Sequence, residues 1–215
     1  MRDPHEAFSK AELEAGRLLF AKSCDFTAGV AEEAQLPPAR LPEVAVLGRS
    51  NVGKSSLLNA LTGRRALARV SVTPGRTQQL NFFELDGRFV LVDMPGYGYN
   101  AAGKARAAAW TRLIERYLAG RQTLTRVLLL IDARHGVKPI DQAWMKRLDK
   151  AAQSYQIVLT KMDKVEPEDR DATLAKVEAA AARHPAAYPV LLATSSETGE
   201  GIAELRATLA ELAAP

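Results

Sequence analysis

Hydrophobic and polar positions along the chain follow two rhythms. Short apolar runs lie within Glu43–Leu47, Arg88–Val92, Thr125–Ile131, Gln156–Leu159 and Pro189–Leu192. Runs of this length, bounded by turn residues, predict strands, several of them buried on both faces. Between them apolar residues recur three and four apart, the period of a helix with one buried side. That period predicts a helix through Ser56–Leu61 to Thr62, ended by Gly63. It predicts others over Lys104–Leu118 (Trp110, Leu113, Ile114 and Tyr117 inward) and Lys138–Lys150 (Ile140, Trp144 and Leu148 inward). Two more are expected over Pro167–Arg183 and Ile202–Leu212.

Residues 1 to 20 carry a weaker helical rhythm through Leu13, Leu18 and Leu19, and Cys24–Val30 reads as an edge strand. Pro37, Pro38 and Pro42 make Glu32–Pro42 a loop. Gln79–Leu85 alternates apolar and polar residues, and Asp86-Gly87 after it is a hairpin signal. Only this hairpin requires an antiparallel pair. Strand and helix otherwise alternate, which predicts an α/β fold: a doubly wound, mostly parallel sheet in three α/β/α layers. Ligand loops are expected at the strands' carboxyl ends. Residues 1–22 read as a helical N-terminal extension and residues 23–215 as one domain.

Charge changes this picture in the middle of the chain. The formal net charge is +4 over 215 residues, but residues 64 to 126 hold eleven Lys and Arg against four Asp and Glu. Such a local excess suits a polyanion-facing surface; the alternative is a solvated helix face between Lys104 and Arg121. The single cysteine, Cys24, excludes a disulfide framework and a zinc thiolate cluster, and fits a reducing, cytoplasmic setting. Its own expected place is a small buried hydrophobe. No apolar run nears the length of a membrane span, and an N-terminus with Asp3, Glu6, Glu12 and Glu14 is no signal peptide.

The candidate chemistry centres on Gly48-Arg49-Ser50-Asn51-Val52-Gly53-Lys54-Ser55, which fits the G-x-x-x-x-G-K-[ST] phosphate loop. Glycines let the backbone turn so that successive N–H groups face phosphate oxygens, and the helix that follows from Ser56 adds the positive end of its dipole. Lys54 would reach the β- and γ-phosphates and the Ser55 hydroxyl would ligate Mg²⁺. Val70–Thr77 is a Pro- and Gly-broken loop that closes in a threonine before Gln79. The strand Arg88–Val92 runs into Asp93-Met94-Pro95-Gly96. An aspartate at a buried strand's end, with glycine three residues on, would hold Mg²⁺ through water and sense the γ-phosphate through the Gly96 N–H. Thr160-Lys161-Met162-Asp163 ends another buried strand. A carboxylate there can accept from guanine N1–H and the 2-amino group together, a pair of donors adenine lacks. The Lys161 stem would pack over the purine. Thr194-Ser195-Ser196 opens a loop whose backbone N–H suits guanine O6.

On these residues the chain resembles the translation-factor class of P-loop GTPases, and more narrowly the bacterial EngB/YihA (YsxC) ribosome-assembly GTPases. The likeness covers about residues 20 to 212. It rests on GRSNVGKSSLLNAL (48–61), TPGRTQ (73–78), DMPGYGY (93–99), TKMD (160–163) and TSS (194–196). It implies that 23–215 is a GTP-binding G domain acting as a monomer. It also implies slow GTP hydrolysis, GTP/GDP and Mg²⁺ as cofactors, and a role in maturation of the large ribosomal subunit that supports cell division and septation. The partner implied is that subunit or its rRNA, bound according to nucleotide state, with neither membrane nor DNA involved. Mg²⁺ would be held by Ser55 and Thr77, with Asp93 acting through water. The loop residues Gly75, Arg76, Thr77, Gln78 and Gln79 join the nucleotide site, and Lys54, Thr77 and Gly96 carry the hydrolysis. Thr73 rivals Thr77. Arg76 faces either the transition state or RNA. Tyr97 stands where Ras-like enzymes place the glutamine that orients water, so turnover without a partner should be slow. Asn51 occupies the position that coordinates potassium in K⁺-stimulated relatives; its other reading is a loop-stabilising side chain. The competing function is a regulatory switch with a protein partner and no ribosome contact.

Overall fold

A computed structural model describes residues 7–64, 67, 79–97 and 104–213, with 104–109 as backbone only. The elements in order are α1 (Lys10–Phe20), β1 (Cys24–Val30), β2 (Glu43–Gly48), α2 (Lys54–Thr62), β3 (Leu80–Leu85) and β4 (Phe89–Asp93). Then follow α3 (Lys104–Gly120), β5 (Leu124–Asp132), α4 (Pro139–Lys150), β6 (Tyr155–Thr160), α5 (Arg170–Ala181), β7 (Leu192–Ala193) and α6 (Ile202–Ala210).

The strands form one sheet in the order β1-β3-β4-β2-β5-β6-β7. β2 lies between β4 and β5 and runs parallel to both, every residue of it buried. Alternation along the buried strands sends side chains to two cores. Val44, Val46, Leu128, Leu130 and Val158 join Leu57, Leu61, Leu205 and Leu209 of α2 and α6, with Leu19 and Phe20 of α1. Ala45, Leu47, Leu129, Ile131 and Ile157 join Ile114, Tyr117, Trp144, Leu148 and Val177 of α3, α4 and α5. These are the expected three layers.

β3 runs against both its neighbours. The β3–β4 pair closes on Asp86-Gly87, both at positive φ (50° and 65°), the backbone a tight two-residue hairpin needs. The second pairing, β1 with β3, is one the hydrophobic pattern left open. Its register shifts between Phe26 and Ala28, a kink that suits a sheet edge.

Some expectations change. Ile140 was expected inward with Trp144 and Leu148, but it is 38% exposed, and its neighbour Asp141 is fully buried instead. The Asp141 carboxylate accepts from the Lys138 N–H, capping α4, and so turns this face of the first turn inward. The last strand was expected over Pro189–Leu192; it is the two-residue β7, and Ala187 makes a separate bridge to Tyr155. Two arginines from the basic middle stretch turn inward. Arg121 pairs with buried Glu43, which also accepts from Tyr117 and Thr123. Arg126 lies 3.8 Å over the Tyr188 ring and donates to Gln156.

α1 lies on α6 so closely that a Cβ on Gly16 would sit 2.5 Å from the Ala207 nitrogen. Only a helix without a side chain at that point fits. Gly16→Ala should therefore cost about 1–3 kcal/mol by overpacking, read as a lower urea midpoint. A midpoint equal to the parent's would show that α1 does not depend on this contact.

Candidate functional site

β2 delivers the chain to the phosphate loop at the carboxyl end of the sheet. Gly53 (φ 106°) caps α2 and carries no side-chain hydrogen bond, so the N–H groups of the first turn remain available to an anion. Arg49, Ser50, Asn51, Gly53, Lys54, Ser55, Ser56 and Gly96 line a cleft of about 190 Å³. A separate polar cleft of about 390 Å³, between Arg134 and α5, shares none of these residues.

The segment after β4 is laid along the phosphate loop like a short strand. Met94 N–H donates to Val46 O at 3.1 Å, Tyr97 N–H to Gly48 O at 3.1 Å, and Ser50 N–H to Tyr97 O at 3.0 Å. Gly96 lies within this ladder. A Cβ there would come 2.8 Å from the Ser50 nitrogen, so the approach demands glycine. Lys54 donates to the buried Asp93 carboxylate across the cleft. Met94 is wholly buried and contributes its backbone and core packing, while Pro95 is half-buried.

Tyr97 departs from expectation. Expected at the place where Ras-like enzymes hold a water-orienting glutamine, it is instead 8% exposed and stacked on Trp144 at 5.3 Å between ring centroids. Its hydroxyl donates to Asp141 at 2.7 Å. Burial first, then the Asp141 charge, pushes the phenol far above its ordinary pKa, so it remains a proton donor. The Arg49 side chain turns the same way, with Nε 3.4 Å from the same carboxylate oxygen.

The residues at the end of β6 brace the phosphate loop from the other side. Thr160 Oγ1 donates to Val52 O at 2.6 Å, and Lys161 Nζ donates to Asn51 O at 2.7 Å. Val52 itself is buried, and Asn51 adopts a positive φ of 62°. Lys161 also donates to Asp132 Oδ2 at 2.9 Å. Burial alone would raise the Asp132 pKa. Hydrogen bonds from Arg134 and Lys161 outweigh it and hold the carboxyl well below the ordinary range. Asp132 escaped the sequence reading; its signal is a carboxylate directly ending an apolar strand, like Asp93.

Asp163 follows in a single 3-10 turn. Ser195 Oγ, fully buried, donates to Asp163 Oδ1 at 2.6 Å and accepts from the N–H groups of Glu197 and Thr198. The Ser195 bond, helped by Lys164, holds the Asp163 pKa below its ordinary value. Met162 N–H donates to Thr194 O, which locks the two loops together. The N–H groups of Thr194, Ser195, Gly199 and Glu200 all have internal acceptors, as do those of Glu197 and Thr198. Within 194–200, the Ser196 N–H is the one left to meet a ligand.

The predicted residues 48–56, 93–96, 160–163 and 194–196 are thus gathered at one end of the sheet. Gln79 is not brought to this cleft. Its side chain hydrogen-bonds Asn81 and covers Gly29 of β1, because the β1–β3 pairing draws it to the sheet edge. Gly75, Arg76, Thr77 and Gln78 lie outside the described residues, as do Thr73 and 98–100. Among the described residues no cluster of three His, Cys, Asp or Glu could hold a metal alone.

Comparison with known proteins agrees with this geometry. A family model described as "50S ribosome-binding GTPase" matches residues 43–161. The chain is 57% identical over 204 residues to a probable GTP-binding protein EngB of Rhodopseudomonas palustris, covering 94% of each. It is 56% identical over 203 residues to a protein of the same description from Cereibacter sphaeroides, again covering 94% of each. A crystal structure of a probable GTP-binding protein engB superposes with a TM-score of 0.60 at 20% identity, over 79% of this chain and 97% of that one. Era in complex with MgGDPNP and nucleotides 1506–1542 of 16S ribosomal RNA gives a TM-score of 0.60 at 21% identity, over 83% and 58%. These two structural matches speak for the fold.

Proposed function

Because the chain belongs to the EngB family of GTP-binding proteins, a P-loop GTPase family, we propose that it is a slow GTPase. In this reading it acts as a monomeric, nucleotide-dependent switch in assembly of the large ribosomal subunit, in the cytoplasm, and so supports cell division. The observation that carries the reading is the ladder between Val46–Ser50 and Met94–Tyr97, which puts Gly96 against the phosphate loop. A third phosphate there would be felt directly by the segment leading out of β4. The "50S ribosome-binding" description of the matching family and the basic stretch around residues 64–126 support the ribosomal partner.

In this reading the first turn of α2 cradles the phosphates, Lys54 binds the β- and γ-oxygens, and Gly96 N–H meets the γ-phosphate. Asp163, oriented by Ser195, reads guanine N1–H and the 2-amino group, with Ser196 N–H at O6. The residues fit Mg²⁺: the exposed Ser55 hydroxyl lies in the first turn, and the buried Asp93 carboxylate already faces a cation, Lys54. Thr77 would complete the set. Bound Mg²⁺ neutralises charge on the β- and γ-oxygens. The potassium reading of Asn51 rests on family resemblance, while its carbonyl has a bracing role toward Lys161. Tyr97, buried against α4, is in no position to orient water, which supports slow intrinsic turnover.

The inward-facing Arg121 and Arg126 reduce the basic surface and favour a second reading, a switch with a protein partner. Single-turnover GTP hydrolysis with and without purified large ribosomal subunits separates the two. The ribosomal reading expects a slow rate alone and at least about a tenfold rise with saturating subunits. A rate indifferent to subunits contradicts it.

A further inference from the structure

Asp141 lies on α4, outside every nucleotide motif, yet it touches both walls of the phosphate cleft. Its side chain is fully buried. One oxygen accepts from the Tyr97 hydroxyl at 2.7 Å and stands 3.4 Å from Arg49 Nε; the other accepts from the Lys138 N–H at 2.8 Å. Arg49 belongs to the phosphate loop, and its buried Nε makes no hydrogen bond within the normal geometry. Tyr97 directly follows Gly96. A buried carboxylate is costly unless a cation and donors compensate it, and here both come from the cleft walls. The Tyr97 ring adds a second anchor by stacking on Trp144 of the same helix.

We propose that Asp141 is a positioning residue for the γ-phosphate. Through Tyr97 and Arg49 it fixes how closely Gly96 approaches the phosphate loop, and so couples the nucleotide's third phosphate to α4. The inference rests on the reading of Gly96 as the γ-phosphate donor. It follows that removing the contact harms recognition of GTP more than of GDP, because GDP offers nothing at that point.

The test compares equilibrium dissociation constants for GDP and a non-hydrolysable GTP analogue in the wild type, Asp141→Asn and Tyr97→Phe. Asp141→Asn removes the charge facing Arg49 and keeps one acceptor oxygen, which can serve the Tyr97 hydroxyl or the Lys138 N–H but not both. Tyr97→Phe removes the hydroxyl but keeps the ring stack, and carries the test alone if Asp141→Asn does not fold. The expected result is analogue binding weakened about tenfold with GDP binding unchanged. A merely structural role would lower the melting temperature and leave the ratio of the two constants unmoved. Analogue and GDP binding altered equally, or neither altered, overturns the proposal. A wild type that binds no guanine nucleotide overturns the functional reading beneath it as well, so the two failures are distinct.

Discussion

Asp163→Asn should weaken GTP and GDP binding by about 2–5 kcal/mol, roughly thirty- to several-thousand-fold, while the protein stays folded. The loss comes from the carboxylate's two acceptor oxygens. One is oriented by Ser195 at 2.6 Å, and the hydroxyl that holds it is itself fixed by two backbone N–H groups. Such a rigid, charged acceptor pair can match N1–H and the 2-amino group at once. An asparagine amide offers one acceptor and one donor edge. It still accepts from Ser195, so the loop survives, but it presents a donor toward the guanine 2-amino group. Xanthine carries an oxygen there and should gain affinity. Calorimetric titration with GDP and XDP checks this. Unchanged GDP affinity would remove Asp163 from base recognition.

Lys54→Ala should have two separable effects. Hydrolysis should fall at least about a hundredfold, because a positive charge at the β- and γ-oxygens is lost. The nucleotide-free protein should also lose about 3–5 kcal/mol of stability, because Asp93 is left as a buried carboxylate without its cation. The double variant Lys54→Ala with Asp93→Asn separates them. Neutralising position 93 should return most of the lost stability and none of the activity. Urea unfolding and single-turnover hydrolysis provide the two readings. A double variant as unstable as Lys54→Ala would show that packing, not charge, sets the loss.

The nucleotide motifs were legible because each is local. Gly48–Ser55, Asp93–Gly96 and Thr160–Asp163 each follow a strand whose apolar run marks its end, so the sheet brings them together without further information. What escaped the sequence depends on partners distant along the chain. Asp141 drew no notice beside an Ile140 expected inward, yet the buried acceptor is needed by Tyr97, 44 positions earlier, and by its own helix N-terminus. Glycines flank Tyr97 and suggest a loop, but its ring finds Trp144. Arg121 and Arg126 add to a basic tally that reads as surface, while Glu43 and Tyr188 claim them internally. Asp132 makes sense only beside Lys161 and Arg134. In each case a charged or polar side chain is buried because its partner is, which periodicity cannot register.

The claim that nucleotide state governs contact with the large ribosomal subunit is tested most directly by co-sedimentation. The purified protein is pelleted with large subunits in the presence of GTP analogue, GDP or no nucleotide, across a salt series. The account predicts association favoured by the analogue and falling steeply with salt, as expected where Lys and Arg meet phosphates. Guanine nucleotide bound normally, with no association in any state, would contradict it and leave a GTPase whose partner is a protein.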